Sequence, residues 1–323
     1  MASEAAGGPP ASRLWHWRGH RIRWVHQGPD EDGTGPAVLL IHGFGASADH
    51  WRHNLPALAR CADVYAIDLL GFGASDKPPS RLADEPDGAG AVRYCFDLWG
   101  EQTVDFVQAL MPPEAPLHLV GNSIGGVVAL RAARLLAERG RPPAQVVLID
   151  CAQRRLDRKR LAELPAWQQL CRPLLQSLVR RRWLIAPLFQ VLARPAMIRR
   201  VLAVAYPSGG RVDEELVALL RRPATDPGAS ESFRGFVNIF DDHLAPDLME
   251  GLPLPVRMLW GERDPWEDPQ EARLWAERYR CVKELRVLEG LGHCPHDEDP
   301  ERVNPILLEW IGSPPPQCTC ATT

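Results

Sequence analysis

Three residues whose types can share the work of nucleophilic acyl chemistry, Ser123, Asp264 and His293, stand in that order in a chain of 323 residues. Ser123 lies in the stretch from Leu117 to Gly126, an apolar run that meets Gly121-Asn122-Ser123-Ile124-Gly125 and then continues as a helical pattern. A Gly-x-Ser-x-Gly elbow holds its serine on a sharp strand-to-helix turn, where only small neighbours let the two backbones pass. In that setting Ser123 is the expected nucleophile and His293 the base that takes its proton. Asp264 is expected to hold the imidazole in its working tautomer. The oxyanion would be met by the amide of Ile124 at the helix start and by that of Phe44 in His42-Gly43-Phe44-Gly45.

Each residue also has a plainer reading. His293 can be a loop histidine, and Asp264 a turn residue before Pro265. Asp150 and Asp68 also follow apolar runs, and Asp150 is the rival for the third position. Asp264 is preferred because its run immediately precedes the one that ends at His293. Gly71-Phe72-Gly73 lacks the spacing of a dinucleotide loop. His50 and His53 stand three apart without a matching third ligand, which favours packed or solvated helix residues over a metal pair. No cofactor or metal is expected, because an ester needs only an activated hydroxyl, an oxyanion hole and a general acid.

The elements that must position these residues follow from the apolar pattern. Residues 14–27 alternate around Arg18-Gly19-His20 and predict a hairpin. Continuous apolar runs at 37–41, 64–67, 117–120, 146–149, 256–260 and 285–288 suit strands buried on both faces of a parallel sheet. Helices are expected near 49–60, 97–111, 125–136 and 300–311. Alternating strands and helices imply an α/β fold with a doubly wound, mostly parallel sheet. In such sheets, sites gather beyond the carboxyl ends of the strands, which places Ser123, Asp264 and His293 on one rim. The rhythm breaks at 154–250, where proline-cut helical segments predict an inserted helical cap. The core is then 13–153 with 251–312, flanked by disordered residues 1–12 and 313–323.

Composition narrows the class further. With 45% hydrophobic and 24% charged residues the chain can bury a large core, and a net charge of -4 gives no reason to expect nucleic-acid binding. The eight cysteines are scattered, and Cys318 and Cys320 lack the spacing of a structural zinc site, so reduced thiols and an intracellular, cytoplasmic protein are expected. Residues 1–12 show neither a basic flank nor an apolar run, so no secretory or organelle signal is expected. No stretch reaches the roughly 20 apolar residues of a membrane span. The cap is the exception to the acidic balance: Arg154 to Arg200 carries twelve Lys/Arg against two Asp/Glu, a local charge of +10. That basic and apolar mixture is either a solvated face over a packed one, or a surface that rests on an anionic membrane and admits a lipid-like substrate.

With these residues in this order, the chain resembles the alpha/beta-hydrolase family over nearly all of 14–312. Ser123 at the elbow argues against haloalkane dehalogenases and epoxide hydrolases, which look similar but carry aspartate there. The segments Asp68–Pro78, Val120–Gly126, Leu259–Trp266 and Gly292–Glu298 are similar to the pheophytinase and chlorophyll dephytylase branch. This implies hydrolysis of the phytyl ester of a chlorophyll-type pigment, at a site peripheral to the cytoplasmic face of a thylakoid membrane. The competing expectations are a carboxylesterase, a carbon-carbon bond hydrolase, a cofactor-free haloperoxidase and, in another class, a hydrolase-fold receptor. Oligomeric state is not legible in the sequence.

Overall fold

Four short apolar runs with every residue buried form the centre of a computed structural model that describes residues 11–28 and 35–312. In chain order the strands are β1 (Ser12–Trp17), β2 (His20–Gln27), β3 (Ala37–Ile41), β4 (Asp63–Ile67), β5 (Leu117–Asn122), β6 (Gln145–Ile149), β7 (Val256–Gly261) and β8 (Val282–Leu288). They make one eight-stranded sheet in the order β1-β2-β4-β3-β5-β6-β7-β8. The β1–β2 hairpin turns through Arg18 and Gly19, both at positive φ as such a tight turn requires, and β2 pairs antiparallel with β4. From β4 to β8 every pairing is parallel. Apolar side chains on both faces of β3, β5, β6 and β7 demand cover on both sides.

That cover comes from helices. The sequence-predicted helix at 49–60 is instead a 3-10 turn, Ala48–Trp51, capped by Ser47, followed by the short helix α1 (Leu55–Leu58) that starts with Pro56 in its first turn. Next come α2 (Phe96–Leu110) and α3 (Ile124–Glu138). After β6 run α4 (Ala166–Val179), α5 (Arg182–Leu192), α6 (Pro195–Ala205), α7 (Glu214–Ala224), α8 (Ala229–Val237) and α9 (Ala245–Met249). The chain ends with α10 (Pro269–Arg278), α11 (Pro295–Glu298) and α12 (Pro300–Gly312). One core layer joins the sheet to α2, α3, α9 and α10 through Trp99, Phe106, Val128, Leu248 and Trp275. The other joins it to α1 and α12 through Leu58, Leu307 and Trp310.

Two expected boundaries move. The first strand begins at Ser12, so the part of the expected disordered start that is described is ordered where it pairs with β2. Residues 245–249, expected in the cap, belong to the core because Ala245, Leu248 and Met249 are buried in the layer beneath α3. The rest of the expected 1–12 segment, the tail 313–323 and its Cys318 and Cys320 lie outside the described residues. Between β6 and α9 the described insertion contains helices and turns and no strand.

Strand order reverses at β3, which lies between β4 and β5. A crevice opens beyond the carboxyl ends of neighbouring strands at such a point. Here it is flanked by His42–Gly45 after β3 and by Ser123 after β5.

Candidate active site

The elbow has the strain its glycines anticipate. Ser123 has φ 54 and ψ -122, outside the regions a non-glycine residue ordinarily occupies, at a cost of about 1–3 kcal/mol. Neighbours hold it there: its N–H donates to the Ile149 carbonyl at 2.9 Å, and its own carbonyl accepts from Ala152 and Gly126. A Cβ on Gly121 would lie 2.1 Å from the Gly125 carbonyl oxygen, and one on Gly125 would lie 2.3 Å from that of Ile41. Neither position can take a side chain without moving backbone. The result presents Ser123 Oγ to a chamber of about 680 Å³.

His293 reaches the same chamber from the turn after β8. Its Nδ1 is 2.8 Å from Asp264 Oδ2, so Nε2 is the nitrogen left for Ser123. Trp266 packs edge-on against the imidazole at 4.9 Å between ring centres. The main chain of His293 is fixed twice: its N–H donates to Ala205 O at 3.0 Å, and its carbonyl accepts from Asn122 Nδ2 at 3.1 Å. Asn122 thus ties the residue before Ser123 to the His293 main chain. Only its place beside Ser123 in the sequence hints at that role.

The Asp264 side chain is fully buried. Burial pushes its carboxyl up, but the His293 hydrogen bond and charge, with amide donors from Trp266 at 2.9 Å and Glu267 at 3.1 Å, outweigh it and hold it below the ordinary aspartate value. Asp150, the rival, is also fully buried, yet Gly261 N–H is its one partner, at 2.8 Å on Oδ1, while Oδ2 has none. Burial, and then the nearby charge of Asp264, push its carboxyl well above the ordinary range. Asp264 is the aspartate in contact with His293. Contact with His293 separates the two, and sequence position does not report it.

The loop after β3, where the sequence predicts an oxyanion donor, lies beside the elbow. A Cβ on Gly43 would fall 2.9 Å from Asn122 Oδ1 and 3.1 Å from Ser123 Cβ, so this loop runs directly against the elbow. The Phe44 N–H has no acceptor among the described residues, and Ile124, as the first residue of α3, has no acceptor for its N–H within the helix. His42 braces the loop. Its Nε2 accepts from Leu69 N–H at 3.1 Å, which assigns the proton to Nδ1, 2.7 Å from Gly43 O. Burial pushes the pKa of this imidazole down. Asp68, at the end of β4, is structural: it accepts from Ala48 and Ala74 amides at 2.6 and 2.7 Å.

His50, weighed above with His53 as a metal pair, is 2.8 Å through Nε2 from Tyr206 Oη, which donates on to Asp297 Oδ2 at 3.0 Å. His53 has its Nε2 3.8 Å from the other oxygen of Asp297, Oδ1. The Tyr206 link, with the His293–Ala205 bond and the Ser208 hydroxyl on Glu298 at 2.5 Å, fastens the end of α6 to the histidine loop. Glu298 also accepts from Gly292 N–H at 2.7 Å. Nothing local in the sequence signals a contact between residues ninety positions apart.

Above the rim the chamber is lined by Leu175, Val179, Leu202, Leu220, Phe236 and Phe240 from the cap, with Arg154, Arg155 and Glu267 among its few charged residues. Phe44 stacks on Phe236 at 4.1 Å and, together with Val201, Leu202 and Leu220, also lines a second compartment of about 270 Å³ walled by Phe72, Phe189 and Phe233. Lys77 contributes to that wall, but its ammonium is turned away onto Gly73 O at 2.6 Å and Asp226 at 2.9 Å.

A doubly wound sheet with a strained serine elbow at its switch point and a His–Asp pair on the same rim defines a hydrolase architecture. The chain belongs to the alpha/beta hydrolase family, whose model matches residues 38–306. Among its relatives it is similar to the chloroplastic pheophytinase of Arabidopsis thaliana, at 26% identity over 95% of this chain and 68% of that protein. It is similar also to a pimeloyl-[acyl-carrier protein] methyl ester esterase of Aeromonas hydrophila, at 27% identity over 87% and 97% of the two chains. Of solved structures, the epoxide hydrolase CorEH shares the fold with a TM-score of 0.72 at 20% identity, covering 94% of this chain and 99% of that one.

Proposed function

We propose that this protein is a serine ester hydrolase acting on a hydrophobic ester, and specifically on the phytyl ester of a chlorophyll-type pigment. The observation that carries the reading is that Ser123 and His293 line one apolar chamber, beside a second apolar compartment that shares Phe44, Val201, Leu202 and Leu220 with it, which suits an ester with large apolar groups on both sides of its carbonyl. Similarity to a pheophytinase supports the choice of pigment.

The chemistry runs through this chain's own groups. His293 Nε2 takes the Ser123 proton as Oγ attacks the ester carbonyl carbon, and the resulting oxyanion faces the Ile124 and Phe44 amides, each worth about 3 kcal/mol. Collapse breaks the bond between the carbonyl carbon and the phytyl oxygen and leaves the acyl group on Ser123 Oγ, and the imidazolium gives its proton to the departing phytol oxygen. Water, deprotonated by His293, then hydrolyses the acyl-enzyme and frees Ser123. Asp264 stabilises the imidazolium in both halves.

A second reading, a carboxylesterase for a smaller ester, has one observation in its favour: the similarity to a methyl ester esterase over nearly the whole of that protein. The test is to incubate wild type and Ser123→Ala with chlorophyll a and pheophytin a in mild detergent and measure phytol. Ser123-dependent release is the expected result. Hydrolysis of short aryl or methyl esters, with no phytol from either pigment, overturns the pigment assignment and favours the second reading.

A further inference from the structure

Helix α4 inverts the rule for surface helices, and α5 and α6 follow it only in part. An amphipathic helix ordinarily turns its apolar stripe to the core. In α4 no residue is buried, and Trp167, Leu170, Leu174 and Leu178 recur at helical spacing on the side that faces water. Trp167, Leu170, Leu174 and, at the start of α5, Trp183 are 65, 81, 65 and 69% exposed. In α5 only Ile185 is buried, and in α6 only Leu202 and Ala205. Exposed apolar surface gathered on three consecutive elements marks a contact surface.

The charge on these helices names the partner. From Ala166 to Ala205 there are seven arginines and no Asp or Glu. Arg180, Arg182 and Arg199 are neutralised from outside the stretch by Asp84, Glu231 and Glu214. Arg172 donates to the Leu156 and Phe240 carbonyls. Arg181, Arg194 and Arg200 are exposed and have no carboxylate partner among the described residues. An apolar face ringed by unpaired cations fits an anionic bilayer surface, where indole and leucine side chains enter the interface and guanidinium groups meet lipid headgroups.

We infer that α4–α6 form a monotopic docking face for an anionic membrane, inserted chiefly through Trp167, Leu170, Leu174 and Trp183. No described helix is long and apolar enough to cross a membrane, so the contact is interfacial. The expected charge of +10 over 154–200 is largely spent inside the protein, since eight of the twelve cations pair with carboxylates. The apolar face therefore supplies most of the binding and the three free arginines supply the preference for anionic lipid. The same helix α4 lines the catalytic chamber with Leu175 and Val179, so a membrane-dissolved ester is delivered next to Ser123. Docking itself is independent of the proposed activity, whereas delivery rests on it.

The experiment is flotation of the full chain with vesicles of phosphatidylcholine alone or of equal parts phosphatidylcholine and phosphatidylglycerol. The doubly substituted Leu170→Ser, Leu174→Ser protein is expected to lose at least tenfold in binding to both, because two exposed leucines no longer enter the interface. The Arg181→Gln, Arg194→Gln, Arg200→Gln protein is expected to lose only the preference for phosphatidylglycerol, about fivefold per arginine at low salt and less as salt rises. Both variants should cleave a short aryl ester as wild type does, since none of these residues touches the chamber. Absence of wild-type binding to either vesicle overturns the docking face while leaving the hydrolase reading intact. Concentration-dependent self-association that is abolished by the Leu170→Ser, Leu174→Ser pair, without vesicle binding, overturns it in favour of an interface between two copies. Vesicle binding without Ser123-dependent ester cleavage keeps docking and removes the hydrolase reading.

Discussion

The rim that carries Ser123, Asp264 and His293 and the roof above it are built by opposite rules. On the rim each main-chain turn is held from several sides: the elbow by Ile149, Ala152 and the close passage of Ile41, the histidine by Asn122, Ala205 and Asp264. On the roof, α4 to α6 bury only Ile185, Leu202 and Ala205. Rigid placement suits a step in which misalignment of about 1 Å costs 10²-fold in rate. A lightly buried cap suits admission of a large apolar substrate, because elements with few buried contacts open at low cost. The two regions meet at one firm seam, where Ala205, Tyr206 and Ser208 grip the loop that carries His293.

The sharpest break of this contrast lies within the rim itself. Asp264→Asn is expected to lower kcat by about 10⁴, as loss of the orienting carboxylate does in Ser-His-Asp triads, with KM little changed. Asp150→Asn keeps the acceptor for Gly261 N–H and leaves the Asp264–His293 contact intact, so its kcat should stay within about tenfold of wild type. Steady-state kinetics on a soluble ester separates the two. Equal losses would show that both aspartates serve the imidazole.

Next in size is a stability effect. Gly125→Ala puts a methyl group against the Ile41 and His42 carbonyls, where backbone has to yield, and should cost about 3 kcal/mol or more in urea unfolding. A matched change on the roof, Leu170→Ala, removes a side chain that already faces water and should stay within about 0.5 kcal/mol. If the two cost the same, the roof is packed more firmly than its exposure implies.

The rim was also the legible part of the sequence, and for the same reason. Ser123, Asp264 and His293 each end or follow a buried strand, so period and strand order alone bring them to one edge, and Gly121 and Gly125 announce the strained turn between them. The hairpin, the six parallel strands and the inserted helices could be read in the same way. What could not be read depended on contacts between distant segments. Periodicity shows that α4 is amphipathic but not which face finds a partner. Asp150 and Asp264 look alike until one is seen to lack a cationic partner. The apolar residues Leu248 and Met249 were grouped with the cap because chain order gives no sign that α9 returns to the sheet. A sum of charges over 154–200 likewise cannot show that Asp84, Asp241, Asp247, Glu231 and Glu271 come from elsewhere to neutralise it.

The seam gives a smaller test. Tyr206→Phe removes the hydroxyl between His50 Nε2 and Asp297 Oδ2 and leaves both short of a buried partner, at a cost of about 1–3 kcal/mol. Because Asp297 lies four residues beyond His293, kcat should also fall, by less than tenfold, with KM for a small ester unchanged. A stability loss without any fall in kcat would mean that the seam holds the cap alone and does not position the histidine.

The smallest expected effect is a pH dependence centred on Glu267, a residue of the rim that also lines the chamber. Burial pushes its carboxyl up to about 7, against the pull of the nearby His293 and of the Gln153 amide that donates to it at 2.8 Å. The folded state therefore prefers the neutral acid more than the unfolded chain does. Its contribution to stability is fully present below the unfolded value near 4.5 and is lost as pH rises through about 7. In urea unfolding, wild type should lose about 1–3 kcal/mol more than Glu267→Gln between acid and alkaline conditions across that window. The kinetic counterpart has the opposite sign, because above neutral pH the Glu267 carboxylate places a negative charge beside the imidazolium formed during catalysis. The ratio of wild-type to Glu267→Gln rates should be flat in acid and rise by a few fold through neutrality. A flat ratio across the whole range would mean that the chamber is wet enough to screen Glu267 from His293, and would make the rim less desolvated than its burial suggests.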